Sequence, residues 1–252
     1  MTTSNSKSSE TTRGRLIGVG VGPGDPGLLT RNAESAIRRA DRVVAPTTST
    51  SQPGRAETVV RGALDHVEFT RVSFDMTPND VDGGESARER SHLAAAARVR
   101  PFLDAGETVA FITIGDPNIY STFPSLVSAL RTLGSTPHVS TVPGITAFQD
   151  LASRSGTVLL DGSDSLSLVT ALSGAEELEH ALGYGERAVV VYKGGRYIRE
   201  ISAVVKRFDR LDGAVVGELM GLSGERICSL RDYDADEASY LVTVIVPARL
   251  PR

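Results

Sequence analysis

Apolar runs and helical spacings alternate along the first 156 residues. "RLIGVGV" (15–21) reads as a strand, and Ala33, Ala36, Ile37 and Ala40 follow it at helical spacing. "RVVA" (42–45) is a second strand run, which Pro46 is expected to stop, and the Ser/Thr/Pro/Gly content of 47–57 reads as a loop. "SARERSHLAAAARVRPFLDAG" predicts a helix that Pro101 either bends or restarts. "ETVAFITI" (107–114) is apolar without alternation, as a strand buried on both faces should be. Phe123, Leu126, Val127 and Leu130 then fall at i, i+3, i+4 and i+7, with Gly134 as a helix stop. "HVSTV" (138–142) is a short strand, and Phe148, Leu151, Ala152 and Ser155 mark one helical face ended by Gly156. This alternation predicts α/β architecture with a largely parallel sheet.

Residues 157–165, "TVLLDGSDS", carry turn chemistry. Beyond them, strands are expected at "LSLVTA", "RAVVVY", "GAVVGEL" and "YLVTVIV", and helices at 175–182 and 197–208. The expected organisation is a disordered polar leader over 1–13, an N-terminal α/β domain over 14–157 and a C-terminal α/β domain over 158–252. No internal repeat is visible.

Composition narrows the function classes. The 252 residues carry a net charge of -4, which lacks the basic excess of a nucleic-acid binder. One cysteine, Cys228, and four scattered histidines give neither CxxC nor HExxH spacing, so no metal site is expected. The longest apolar runs are too short to span a bilayer, and the leader lacks an apolar signal core. These features predict a cytoplasmic protein with no membrane partner.

One junction recurs three times: "GVGPGDP" (20–26), "IGDPNIYSTF" (114–123) and "VPGITA" (142–147) each place Gly and Pro where a strand hands over to a helix. In open parallel sheets ligands bind at the carboxyl ends of strands, so three such turns point to a site. Any one of them alone reads equally as a tight turn, and Asp116 is also placed to cap the following helix. "GPGDPG" (22–27) satisfies G-x-G-x-x-G by its letters. Its prolines, however, remove amides that a pyrophosphate would need, and no acidic residue ends the second strand for a ribose. No Walker loop is present either. A nicotinamide-dependent oxidoreductase is disfavoured on these grounds.

"GVGVGPGDPGLLT", "TIGDPNIYSTF" and "VPGITAF", in this order, resemble the tetrapyrrole (corrin/porphyrin) methylase superfamily. "GDP" followed by "YSTF", with "FDMT" at 74–77, resembles its precorrin-2 C20-methyltransferase branch, in which "FPMT" is frequent; Asp75 departs from that pattern. The resemblance implies two unlike α/β domains with a cleft between them for S-adenosylmethionine, and a homodimer. It places Pro23 beside the cofactor, Gly115, Asp116 and Ile119 at its methionine end and part of the ribose, and Thr146 and Ala147 in the same pocket. Tyr192, Met220 and Thr243 are implied on the second domain, where ordinary packing accounts for them equally well.

The implied reaction is methyl transfer to a meso carbon of precorrin-2, giving precorrin-3A in cobalamin biosynthesis. The macrocycle itself supplies the nucleophile and the protein mainly supplies alignment. That division of labour fits a sequence with no Ser/His/Asp or Cys/His constellation. Tyr120 is placed to orient substrate or assist proton loss, or else to pack on its helix. Lys193 and Arg196, and also Arg88 and Arg90, are candidates for the substrate's carboxylates, with a solvated surface role as the alternative. Cobalt-factor II or another corrin intermediate is the alternative substrate, and a nucleotide-binding regulatory module the alternative of another class.

Overall fold

The structure, a computed structural model, describes residues 13–74 and 87–248. The expected leader, apart from Arg13, and positions 75–77 of "FDMT" lie outside the described residues. Two compact units divide the chain. One runs through Val21 and resumes over Leu29–Gly144; the other comprises Gly22–Leu28 and the chain from Ile145 onward.

The first unit alternates β1 (Arg15–Gly20), α1 (Arg31–Arg39), β2 (Arg42–Thr47), α2 (Arg55–Ala63), β3 (Phe69–Ser73), α3 (Ala87–Asp104), β4 (Thr108–Thr113), α4 (Phe123–Thr132) and β5 (His138–Val142). Its sheet has the order β3-β2-β4-β1-β5, and every pairing is parallel. Alternate residues of the strands feed two apolar layers, as the two-residue period requires. Leu16, Val44, Val109 and Phe111 pack under α3 and α4. Val19, Val43, Ala110 and Ile112 pack under α1 and α2. The helices that follow the neighbouring strands β1 and β4 thus lie on opposite faces. That arrangement makes the carboxyl ends of this strand pair the topological switch point, where open α/β sheets bind ligands.

Three expectations need correction. Pro46 does not stop β2, which runs on to Thr47. The Thr47 carbonyl accepts from Phe74 N at 2.9 Å, so Thr47 faces β3 and Pro46 faces the other edge. Pairing with β4 has already ended at Val44, so the missing amide breaks no ladder bond. Residues 55–57, read as loop, form the first turn of α2. Pro101 does not restart the helix, since α3 runs unbroken to Asp104; it and Ala97, whose carbonyl it leaves without a donor, are both on the exposed side. The edge strand β3 and the four-residue β9 (Arg226–Ser229) escaped the pattern reading, since both are short and mostly half-buried.

Glu57 ties the first turn of α2 to β3. It is fully buried, and Arg71 on β3 donates to both of its oxygens, at 2.7 and 2.8 Å, while Arg61 donates at 2.9 Å. Arg71 also donates to the Thr50 carbonyl at 3.3 Å, which ties the Ser/Thr-rich loop to the same pair. Arg71's hydrogen bonds, against the opposing effect of burial, hold the Glu57 acid below its ordinary value. Glu57→Gln is therefore expected to cost about 2 kcal/mol at neutral pH, the scale of charged hydrogen bonds lost at a buried acid whose arginine partners stay partly exposed. Because the folded pKa lies below the unfolded one, this contribution is present above the unfolded pKa and is lost as pH falls through the folded value. Urea denaturation of both proteins should show the gap closing in acid.

The second unit contains α5 (Ala147–Ser155), β6 (Leu166–Thr170), α6 (Glu176–Gly183), β7 (Ala188–Tyr192), α7 (Ile198–Arg207), β8 (Val215–Glu218), β9 and β10 (Val242–Val246). Its sheet is mixed, in the order β6-β7-β10-β8-β9; only the β6–β7 pair is parallel. Val189, Val191, Val216, Val244 and Val246 face α6 and α7. Val190, Ile245 and Met220 face Leu151 and Ala152 of α5. The two units are therefore α/β bodies of unlike topology.

Candidate functional site

The carboxyl ends of β4, β1 and β5 meet in a backbone knot within the first unit. A Cβ built on Gly20 would lie 2.4 Å from the Gly115 carbonyl oxygen and 2.5 Å from Gly144 N. One built on Gly144 would lie 2.1 Å from the same oxygen. Three turns therefore touch main chain to main chain, which only glycine permits. Val21 N donates to the Thr113 carbonyl at 2.9 Å and extends the β1–β4 ladder into the knot.

Asp116 binds this knot together. It is 9% exposed; its Oδ1 accepts from Asn118 N at 2.8 Å and its Oδ2 accepts from Gly144 N at 3.1 Å. Asp116 is thus not the cap of the next helix. The cap position of α4 belongs to Thr122, and the carboxylate instead joins the turn after β4 to the turn after β5. Asn118 Nδ2 donates to Thr141 Oγ1 at 3.3 Å and makes a second link between the same turns.

Gly115 has φ +68, and an added Cβ would meet nothing within 4 Å, so glycine is needed there for its backbone angle. Ile119 N closes the turn on the Asp116 carbonyl at 3.3 Å. Tyr120 has φ +49 and is 44% exposed. A tyrosine held in the left-handed region is strained, and such strain clusters at functional sites. The structure thus brings Gly115, Asp116, Ile119 and Tyr120 into one turn at the sheet's switch point.

In the second unit, Tyr192 and Thr243 are register partners across β7 and β10, and Gly217 of β8 is the next partner of Thr243. Directly opposed residues share a face, here the one that packs on α5. The Tyr192 hydroxyl accepts from Phe148 N at 3.1 Å, on the first turn of α5. Met220 is buried in the same cluster. Thr146 precedes that turn as N-cap, with its N and Oγ1 both donating to Gln149 Oε1 at 2.9 and 2.8 Å; Ala147 is the first helical residue. Pro23 is buried in the Gly22–Leu28 loop, where Asp25 Oδ1 accepts from Gly27 N at 2.8 Å.

Lys193 follows β7 with φ +60 and reaches over the Tyr240 ring, with Nζ 5.6 Å from its centre. Arg196 is exposed on the single turn Gly195–Tyr197. Arg88 and Arg90 are exposed at the start of α3. Among the described residues, no group of His, Cys, Asp and Glu is placed to hold a metal. No described helix is long and apolar enough to cross a membrane.

Pattern reading singled out the turns but not Gly20, Gly144, Asn118 or Thr141 as members of the knot. The available signal was the glycine at each strand end, in "GVG" and "VPG". The strained Leu219, with φ +50 just before Met220, left no signal in the sequence.

Known proteins resemble this arrangement over most of the chain. The model of the tetrapyrrole (corrin/porphyrin) methylases matches residues 15–233. A precorrin-2 C(20)-methyltransferase of Sinorhizobium sp is 36% identical over 238 residues, which are 93% of this chain and 95% of that protein. A cobalt-precorrin-2 C(20)-methyltransferase of Salmonella typhimurium is 29% identical over 84% of this chain and 86% of its own length. The crystal structure of the cobalamin synthesis related protein CobF from Corynebacterium diphtheriae matches with a TM-score of 0.66 at 19% identity. It covers 93% of this chain and 99% of that one, a likeness of fold.

Proposed function

Since the chain belongs to the tetrapyrrole (corrin/porphyrin) methylases, we propose that it is an S-adenosylmethionine-dependent methyltransferase of cobalamin biosynthesis. Its proposed substrate is precorrin-2, methylated at C20. The observation that carries this reading is the Asp116 turn: a glycine-only backbone knot at a switch point, followed by a strained and exposed Tyr120. A cofactor with an amino-acid end fits such a turn. Gly115 exposes main chain without a side chain, and the Asp116 oxygens, each accepting one backbone amide, keep a second lone pair for an ammonium group. When bound, S-adenosylmethionine supplies an electrophilic methyl group. Gly115, Asp116 and Ile119 would hold its methionine end and part of the ribose, and Tyr120 would orient the macrocycle or assist its proton loss as a hydrogen-bonding hydroxyl, the proton itself leaving to solvent. The reduced macrocycle supplies the nucleophilic carbon, so the protein's contribution is alignment.

Pro23, Thr146, Ala147, Tyr192, Met220 and Thr243 keep the cofactor role that the resemblance implies, and Lys193 and Arg196 the role of meeting substrate carboxylates. The same reading includes a cytoplasmic homodimer. The Salmonella typhimurium relative supports the cobalt-bearing substrate as a second form. Calorimetry is expected to show binding of S-adenosylhomocysteine and none of NAD; the reverse result overturns the methyltransferase reading. Anaerobic incubation with labelled S-adenosylmethionine and either precorrin-2 or its cobalt form should place label at C20. Label at another ring carbon would overturn the branch assignment alone.

A further inference from the structure

Three segments of the second unit that carry proposed cofactor residues converge on one ion pair. Arg154, in the last turn of α5, donates Nη1 to Glu225 Oε2 at 2.6 Å and Nη2 to Oε1 at 2.5 Å. Glu225 lies between β8 and β9, and its Oε2 also accepts from Gly221 N at 2.6 Å. Gly221 has φ +70, and a Cβ there would stand 2.1 Å from Asp25 N and 2.5 Å from the Gly24 carbonyl carbon. A Cβ on Gly24 would in turn lie 2.0 Å from the Met220 carbonyl oxygen. The corner that carries Met220 is therefore seated directly on the loop that carries Pro23. At its other end α5 carries Thr146 and Ala147.

The pair is partly exposed, 38% at Arg154 and 31% at Glu225, so its two-point geometry rather than its Coulomb energy is what fixes the corner. The Arg154 hydrogen bonds, then that from Gly221 N, hold the Glu225 acid at about 2, so it is ionised at any working pH. Asp150, one turn earlier on α5, is buried with no hydrogen bond to its Oδ2, which stands 3.8 Å from Arg154 Nη1. Burial pushes its acid up, as do the neighbouring Glu225 and Asp25 carboxylates, against the pull of Arg154. Arg154 thus stands among three carboxylates and gives both of its bidentate contacts to Glu225. A bidentate guanidinium–carboxylate pair fixes orientation as well as distance.

We infer that Arg154 and Glu225 form a positioning clasp for the cofactor: the pair locks the Leu219–Gly221 corner, and with it Met220 and the Pro23 loop, against α5. The clasp rests on the cofactor reading proposed above. It acts through Gly221 and Met220, not by touching the cofactor.

The test uses the full chain and S-adenosylhomocysteine as probe, with Glu225→Ala, Arg154→Ala and, as control, Val189→Ala on the opposite face of the sheet. Affinity is read by calorimetry well below every melting point, stability by scanning calorimetry, and local motion by hydrogen exchange over 22–28 and 219–222. Both clasp variants are expected to weaken binding about tenfold, a loss of alignment rather than of contact. They are also expected to speed exchange in those two segments. Val189→Ala is expected to lose more stability yet weaken binding less than about twofold, the signature of a core cavity elsewhere. Binding by the wild type with no loss in Glu225→Ala overturns the clasp alone. Equal losses in Val189→Ala reduce it to general stability and also overturn it. Absence of binding by the wild type overturns the cofactor reading itself.

Discussion

Gly144→Ala is expected to abolish S-adenosylhomocysteine binding and to cost more than about 3 kcal/mol of stability, the upper end for overpacking. The added methyl carbon would stand 2.1 Å from the Gly115 carbonyl oxygen and 2.7 Å from the Gly20 carbonyl carbon. Both are main-chain atoms at the ends of strands already fixed in one sheet, so no side chain can rotate to make room. Relief requires β1, β4 or β5 to shift, and that movement opens the Asp116 link as well. Gly134→Ala is the matched control. Gly134 has φ +78, but its Cβ would meet nothing within 4 Å, so the cost is backbone strain of about 1 kcal/mol with binding retained. Urea denaturation midpoints and calorimetry on the two variants separate the outcomes. A Gly144→Ala protein that binds like the wild type would show that the knot is not part of the site.

The knot also marks how far the residue pattern reaches. Three Gly/Pro junctions of one kind were legible because each sits between an apolar run and a helical period, and both periods are local properties of sequence. Which glycines press against each other was not legible, since that depends on the strand order β4-β1-β5, which no local signal carries. The same limit explains Pro46. Its tolerance in β2 follows from where β4 stops pairing, a fact about a strand more than 60 residues away. α2 was hidden because Glu57, a charged residue in a Ser/Thr/Pro/Gly context, is buried by an arginine on β3. The packing of Gly24 on Met220 likewise joins positions nearly 200 residues apart. Tyr192 and Thr243, chosen from the resemblance, turn out to be register partners, a relation that pattern reading had no means to state.

Asp116→Ala is the second large effect, about 3 kcal/mol, because it leaves the Asn118 and Gly144 amides without their acceptor in a largely buried turn. Asp116→Asn should cost somewhat less, since one oxygen remains, but its amide group would then face a donor. Stability alone does not separate a strut from a ligand-binding carboxylate; the choice of ligand does. S-adenosylhomocysteine carries the amino-acid end, and 5′-methylthioadenosine lacks it. If Asp116 also accepts from the amino group, Asp116→Asn lowers affinity for the first by about 10- to 100-fold, the scale of a charge-assisted hydrogen bond, and leaves the second nearly unchanged. If Asp116 only joins the two turns, both affinities fall together, because the ribose side of the turn moves with the knot. Parallel calorimetric titrations of the two ligands against wild type and Asp116→Asn therefore decide whether this carboxylate touches the cofactor or only shapes the turn that does.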